Sequence, residues 1–158
     1  MRRILGWSLV LSLIVPICVQ GQSTELEKVQ FYVGEWTYEH SSGHGTMVFK
    51  SFGDNLIYAE EEYTTDSGNL SLMLHVMGYD GEEGVYWWRR FTRSSGGGFF
   101  KGTIEGNTLT WVAEAVEGRQ TRMVQEKDSD DLFHFRWERS VDGGPWEATI
   151  EGTTRRVR

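Results

Sequence analysis

The chain is poor in cysteine and proline: one Cys and two Pro among 158 residues. A lone cysteine closes no internal disulfide, and it excludes cysteine-ligated zinc and iron–sulfur clusters. Catalytic signatures are also missing. There is no Gly-x-Ser-x-Gly, no His-Glu-x-x-His and no phosphate-binding glycine loop followed by lysine. Basic residues are outnumbered, 16 against 23, so the formal net charge is −7. A field of that sign repels nucleic acid and anionic membrane surfaces. No linker, low-complexity segment or second domain boundary interrupts the chain. What is abundant is glycine, 19 residues, and aromatic side chains, 13% of the total.

One long apolar run exists, at the amino terminus. Arg2 and Arg3 precede a mostly apolar stretch from Ile4 to Val19, and Val19-Gln20-Gly21 ends on a small residue. This pattern predicts a cleaved secretory signal peptide over residues 1–21. The run, about 16 residues, is short against the roughly 20 that a membrane span needs. An uncleaved anchor is the alternative. Cys18 falls inside the leader, and Ile17 before it is not the small residue that lipoprotein processing requires. Cleavage removes Arg2, Arg3 and Cys18, leaving 14 basic and 23 acidic side chains, a net charge of −9. The expected location is secreted or periplasmic, with no membrane insertion after cleavage. The domain expected over residues 22–158 must then be stable without disulfides. At that length, folding buries roughly two thirds of the unfolded surface, which suffices.

Ser23 to Tyr32 is the only stretch with a helical pattern. Ser23 or Thr24 can cap it, Glu25 and Glu27 suit its positive end, and Gly34 stops it. Everything after Gly34 reads as short strands between turn signals such as Gly53-Asp54-Asn55, Asp80-Gly81, Gly106-Asn107 and Asp142-Gly143-Gly144. Ten strands are predicted: Glu35–His40, Thr46–Phe52, Leu56–Thr65, Leu70–Gly78, Val85–Arg93, Gly98–Glu105, Thr108–Val116, Gln120–Lys127, Leu132–Ser140 and Trp146–Arg156. Short, evenly spaced strands predict an all-β, up-and-down antiparallel meander barrel of 8–10 strands, capped by the short amino-terminal helix. Alternation assigns inward faces to Trp36, Tyr38 and His40, to Phe133, Phe135 and Trp137, and to Trp146, Ala148 and Ile150.

A short helix followed by Gly34-Glu35-Trp36 at the opening of a meander barrel resembles the lipocalin and wider calycin superfamily. The chain is most similar to bacterial lipocalin-like proteins of unknown function. Phe31 to Trp36, Met77-Gly78-Tyr79-Asp80, Gly106 to Trp111, Asp142 to Trp146 and Arg155-Arg156 carry that likeness. The resemblance implies that Gly34 and Trp36 are structural, with the tryptophan plugging one barrel end. It also implies that a late arginine, Arg139, Arg155 or Arg156, packs on that ring. The second lipocalin motif, Thr-Asp-x-x-Tyr, is missing, as are the disulfides of secreted animal lipocalins. The resemblance supplies no reaction.

Candidate site residues come from strand parity. Adjacent strand residues point to opposite faces, so one or more of Glu60, Glu61 and Glu62 faces inward, and so does one of Arg89 and Arg90. An unpaired buried charge costs several kcal/mol, so an internal pair such as Glu61 with Arg89 is expected. His75 shares a face with Met73 and Met77, opposite Leu70, Leu72, Leu74 and Val76; either face can be inside. With Met73 and Met77 inside, His75 is a candidate ligand for haem iron or a soft metal. His40 and His44 flank a turn, and His134 reads as exposed. Trp87, Trp111 and Trp137 supply apolar walls, which either fill the barrel or line a cavity.

The ligand-lining set is therefore Met73, His75, Trp87, Arg89, Trp111 and Trp137, with Glu61 as the polar anchor, and with no catalytic residue and no resident metal. The expected function is non-catalytic binding of a small, partly apolar or amphipathic molecule. One alternative is a barrel binding haem or nitric oxide through His75. Another is a filled-barrel envelope or assembly protein acting through an outer face such as Tyr86 and Trp88. A second copy of the chain is a candidate partner. If the leader reading is right, amino-terminal sequencing of the exported protein starts at or near Gln22. Retention of Met1 on a soluble cytosolic protein refutes it.

Overall fold

The computed structural model describes residues 25–93 and 97–157. The expected leader, the candidate caps Ser23 and Thr24, and Ser94 to Gly96 lie outside the described residues. The chain is helical from Glu25 and tightens into a 3-10 turn at Gln30–Tyr32. Leu26, Val29 and Tyr32, three residues apart, turn inward and are each 2% exposed.

Ten strands follow: β1 (Gly34–His40), β2 (Gly43–Phe52), β3 (Leu56–Thr65), β4 (Leu70–Asp80), β5 (Val85–Thr92), β6 (Phe99–Glu105), β7 (Thr108–Ala113), β8 (Arg119–Ser129), β9 (Leu132–Val141) and β10 (Glu147–Arg156). Each pairs antiparallel with its neighbour in sequence, and β1 also pairs with β10, closing the barrel. Closure leaves no free edge to recruit another chain's strand. Ten strands also hold the walls too far apart for side chains to fill the centre.

The amino-terminal end is plugged as the resemblance implies, and the arginine that does it is Arg156. Trp36 is fully buried, donates its indole N–H to the Tyr32 carbonyl at 2.6 Å, and packs on Phe133. The Arg156 guanidinium lies 4.3 Å from its ring centroid and donates to the carbonyls of Val33 and Phe31. It also pairs with Asp131 at 3.1 Å. Arg155 is exposed, because parity on β10 sends it outward when Arg156 points in. Arg139 is exposed near the far end of β9, seven residues from Leu132 at the plugged end. At about 3.3 Å per residue that is roughly 23 Å away. Gly34 completes the plug: its φ is +135°, and a Cβ there would stand 2.4 Å from an Arg156 nitrogen.

Trp146 and Ala148 do not face inward. The pairing of β10 with β9 shifts between Ala148 and Ile150, a bulge that reverses parity. Ile150 lines the interior, Ala148 is exposed, and Trp146 lies outside, under the Arg122 guanidinium at 4.3 Å. That guanidinium also binds Glu138, which Arg136 holds from its other side at 2.7 Å.

Truncating Trp36 to alanine is expected to cost about 3–5 kcal/mol in chemical denaturation, the range for buried large aromatics. Arg156→Ala is expected to cost about 2–3 kcal/mol through lost charge-assisted bonds. Arg155→Ala should stay within about 0.5 kcal/mol of wild type. Equal effects for the two arginines would contradict the assignment.

Candidate functional site

Above the plug the barrel is hollow. A cavity of about 220 Å³ runs along the axis, lined largely by aromatic and thioether side chains. Phe49 and Tyr32 lie at its plugged end, His40, Tyr63 and Arg90 toward the other. The filled-barrel reading does not describe this interior.

Parity places the acidic run as alternation requires. Glu60 and Glu62 are exposed, and Glu61 points inward with its side chain 11% accessible. Its partners are not arginines. Tyr38 donates its hydroxyl to one carboxylate oxygen, and His75 Nε2 stands 2.5 Å from the other. Trp88 donates its indole N–H to His75 Nδ1 at 2.9 Å. An indole nitrogen only donates, so Nδ1 carries the lone pair and Nε2 carries the proton. The result is a directed chain, Trp88 to His75 to Glu61, with Tyr38 joining at the carboxylate. Burial pushes the Glu61 carboxyl up. The bonds from His75 and Tyr38 and the field of Arg90 outweigh that, so it sits below the ordinary carboxylate value of 4.5. Burial and the neighbouring Glu61 charge push the Tyr38 phenol far up, which keeps it a donor.

The interior therefore holds an anion at neutral pH. Arg90 stands opposite it in charge without touching it. Its guanidinium rests over Trp137 at 5.6 Å and Phe100 at 6.0 Å, and its Nε is buried with no hydrogen-bond partner. Thr154, fully buried in the cavity wall, has an equally unpaired hydroxyl. Deeper in, Gln125 Oε1 accepts from Tyr32 and Trp111.

Of the residues expected to line a site, Glu61, Met73, His75, Trp111 and Trp137 do line the cavity. Trp87 and Arg89 do not. β5 is offset by one: the pairs His75↔Arg90 and Met77↔Trp88 put Trp88 and Arg90 inside. Tyr86 and Trp88, named above as an outer face, are 5% and 6% exposed and point inward. Trp87 lies on the outer wall across Gly78, where a Cβ would meet its ring at 2.5 Å. Arg89 is exposed beside Phe99. The expected Glu61–Arg89 pair is thus replaced by Glu61 with His75 and Tyr38. The cue lay in the turn at residues 81–84. Pairing Asp80 with Val85 across it fixes every later pair, including His75 with Arg90.

The histidine alternatives resolve differently. His40 faces the interior, stacked on Tyr63 and Tyr38, while His44 is exposed on the other face of the hairpin. They cannot share a metal. His134 is outside, 3.1 Å from Asp128. The Met73–His75–Met77 face is the inner one. At His75, however, the lone pair an iron would need is already used by Trp88, so the residues do not fit haem ligation there. Among the described residues no group of three or more His, Cys, Asp or Glu side chains is placed to hold a metal ion.

No protein-family model matches the chain, and no curated protein matches it. Solved structures do. The chain is similar to Rv2717c from M. tuberculosis, with a TM-score of 0.63 and 11% identity over 84% of this chain and 97% of that one. A de novo designed fluorescence-activating β-barrel aligns at a TM-score of 0.47 and 15% identity over 81% and 95%. The structure of EF1p2_mFAP2b bound to DFHBI aligns at 0.47 and 11% identity over 82% and 96%. The likeness to Rv2717c establishes the shared barrel fold and nothing of its use.

The Glu61 carboxyl yields a pH signature. Its folded value is lowered, so its contribution is complete above the unfolded value of 4.5 and is lost as pH falls through the folded value. Glu61→Gln should cost about 1.5–3 kcal/mol at pH 7. The gap in melting temperature between wild type and Glu61→Gln should then narrow below pH 4.5. A gap that stays constant down to about pH 3 would show that Glu61 is not held as an anion.

Proposed function

We propose that this chain is an exported, non-catalytic barrel that binds one small, partly apolar molecule in its interior. The observation that carries the reading is the cavity of about 220 Å³ with ring and thioether walls and the buried, unpartnered Arg90 Nε. Small-molecule sites are mostly apolar with a few placed polar groups, and this interior has that make-up. A dry engineered cavity of about 150 Å³ takes benzene, so this one suits a bicyclic ring or a short acyl chain. Glu61 is committed to Tyr38 and His75, which makes it part of the wall rather than the anchor. Arg90 is the donor left for a ligand oxygen, and the Thr154 hydroxyl is a second polar contact. An acidic or carbonyl-bearing head on an apolar body meets both demands. No resident cofactor enters this reading.

The test has two arms. Native mass spectrometry of protein purified from its own host should show an adduct that leaves on denaturation. Titration with 1-naphthoate or octanoate should quench tryptophan fluorescence saturably at one site per chain. It should also raise the melting temperature, since a ligand of the native state stabilises it by mass action. Arg90→Gln should weaken naphthoate binding about tenfold, the loss of one charge-assisted bond. Absence of adduct, quenching and thermal shift together would overturn the reading.

A further inference from the structure

The outer face of β4 is apolar without being covered. Leu70, Leu72 and Leu74 are 62%, 45% and 42% exposed, and Val76 continues their line. Phe91 of β5 stands level with Leu74, and Phe99 of β6, 36% exposed, lies beyond Arg89. A contiguous apolar strip of this kind, rimmed by charge, marks an interaction surface.

The rim is asymmetric in sign. On the β3 side stand Glu60 and Glu62, paired with Leu74 and Leu72. On the β5 side stand Arg89, paired with Val76, and Arg93, which follows Thr92 and so lies level with Leu72. Three neighbouring strands thus read acid, leucine, base across the level of Leu72. Among the described residues neither Glu62 nor Arg93 has an ion-pair partner. Both charges are exposed.

We propose that this face joins two copies of the chain, related by a two-fold axis running along β4. That operator lays β4 on its own copy, leucine against leucine. It exchanges left for right, so each Glu62 meets Arg93 of the partner subunit. A two-fold axis across β4 instead would set glutamates on glutamates and arginines on arginines, which like-charge repulsion disfavours. The contact is isologous and closes at two. A convex barrel touches its copy along about three strands only, so the dimer is small and reversible. The cavity plays no part in this contact, and the two readings stand or fall separately.

Sedimentation equilibrium on the full chain tests it. Wild type should show a concentration-dependent monomer–dimer equilibrium. Leu72→Lys, at an exposed position that leaves the core intact, should raise the dissociation constant about tenfold or more. Glu62→Arg and Arg93→Glu should each raise it by a similar factor, and the double exchange should return it to within about threefold of wild type. Circular dichroism of all four variants should match wild type. A wild type that stays monomeric at every concentration would overturn the proposal. So would a dimer indifferent to these substitutions, or a double exchange worse than either single one. Cosedimentation of monomers with phosphatidylcholine vesicles, abolished by Leu72→Lys, would overturn it in favour of a lipid surface.

Discussion

The Arg156 guanidinium on the Trp36 ring is the contact on which the barrel depends. It joins the last residue of the last strand to the first strand, to the carbonyls that end the helical segment, and to the β8–β9 turn through Asp131. The two ends of the barrel's chain and the β8–β9 turn meet at one planar cation. Only a forked, permanently charged group can donate in several directions while stacking on an aromatic face. The seam between β1 and β10 is where the sheet would otherwise have two open edges, so this contact guards the one place where closure can fail.

The interior obeys a second constraint, that of a charge placed out of water. β3 cannot carry three consecutive glutamates without sending one inward, and the barrel resolves it with neutral donors. His75 and Tyr38 hold Glu61 without adding a second buried charge, and Trp88 fixes which nitrogen of His75 carries the proton. An arginine bound directly to Glu61 would have neutralised both groups. Keeping them apart leaves Arg90 facing a cavity with donor capacity unspent. Polarity inside the barrel is thus divided between a satisfied cluster in the wall and an unpaired Arg90 Nε facing the cavity.

Strand count and turn positions were readable because turn residues and alternation are local properties. Leu56–Thr65 has the same bounds in both readings, and Glu61 faces inward by parity alone. What failed was what alternation does not encode. In β5 both faces carry an aromatic and an arginine, Trp87 with Arg89 and Trp88 with Arg90, so only the register with β4 decides between them. On β10 the bulge before Ile150 inverts parity with no glycine or proline to announce it. Arg156 can be told from Arg155 only through its pairing with Trp36, a contact between the two ends of the barrel's chain. The separation of Glu61 from any arginine was likewise invisible, since it follows from Tyr38 reaching the carboxylate across β2.

The meander topology has a consequence for how the molecule comes into being. Every strand pairing but one joins sequence neighbours, so a growing chain can add hairpins in order as each emerges. The exception is β1 with β10. Until the final strand arrives, β1 has a partner on one side only, and the plug around Trp36 lacks its arginine. Loss of β10 would therefore leave a nine-stranded sheet with both edges open, the geometry that favours pairing with other chains. The tenth strand acts as the clasp of a bracelet: the links form early, but the ring exists only once β10 has been made.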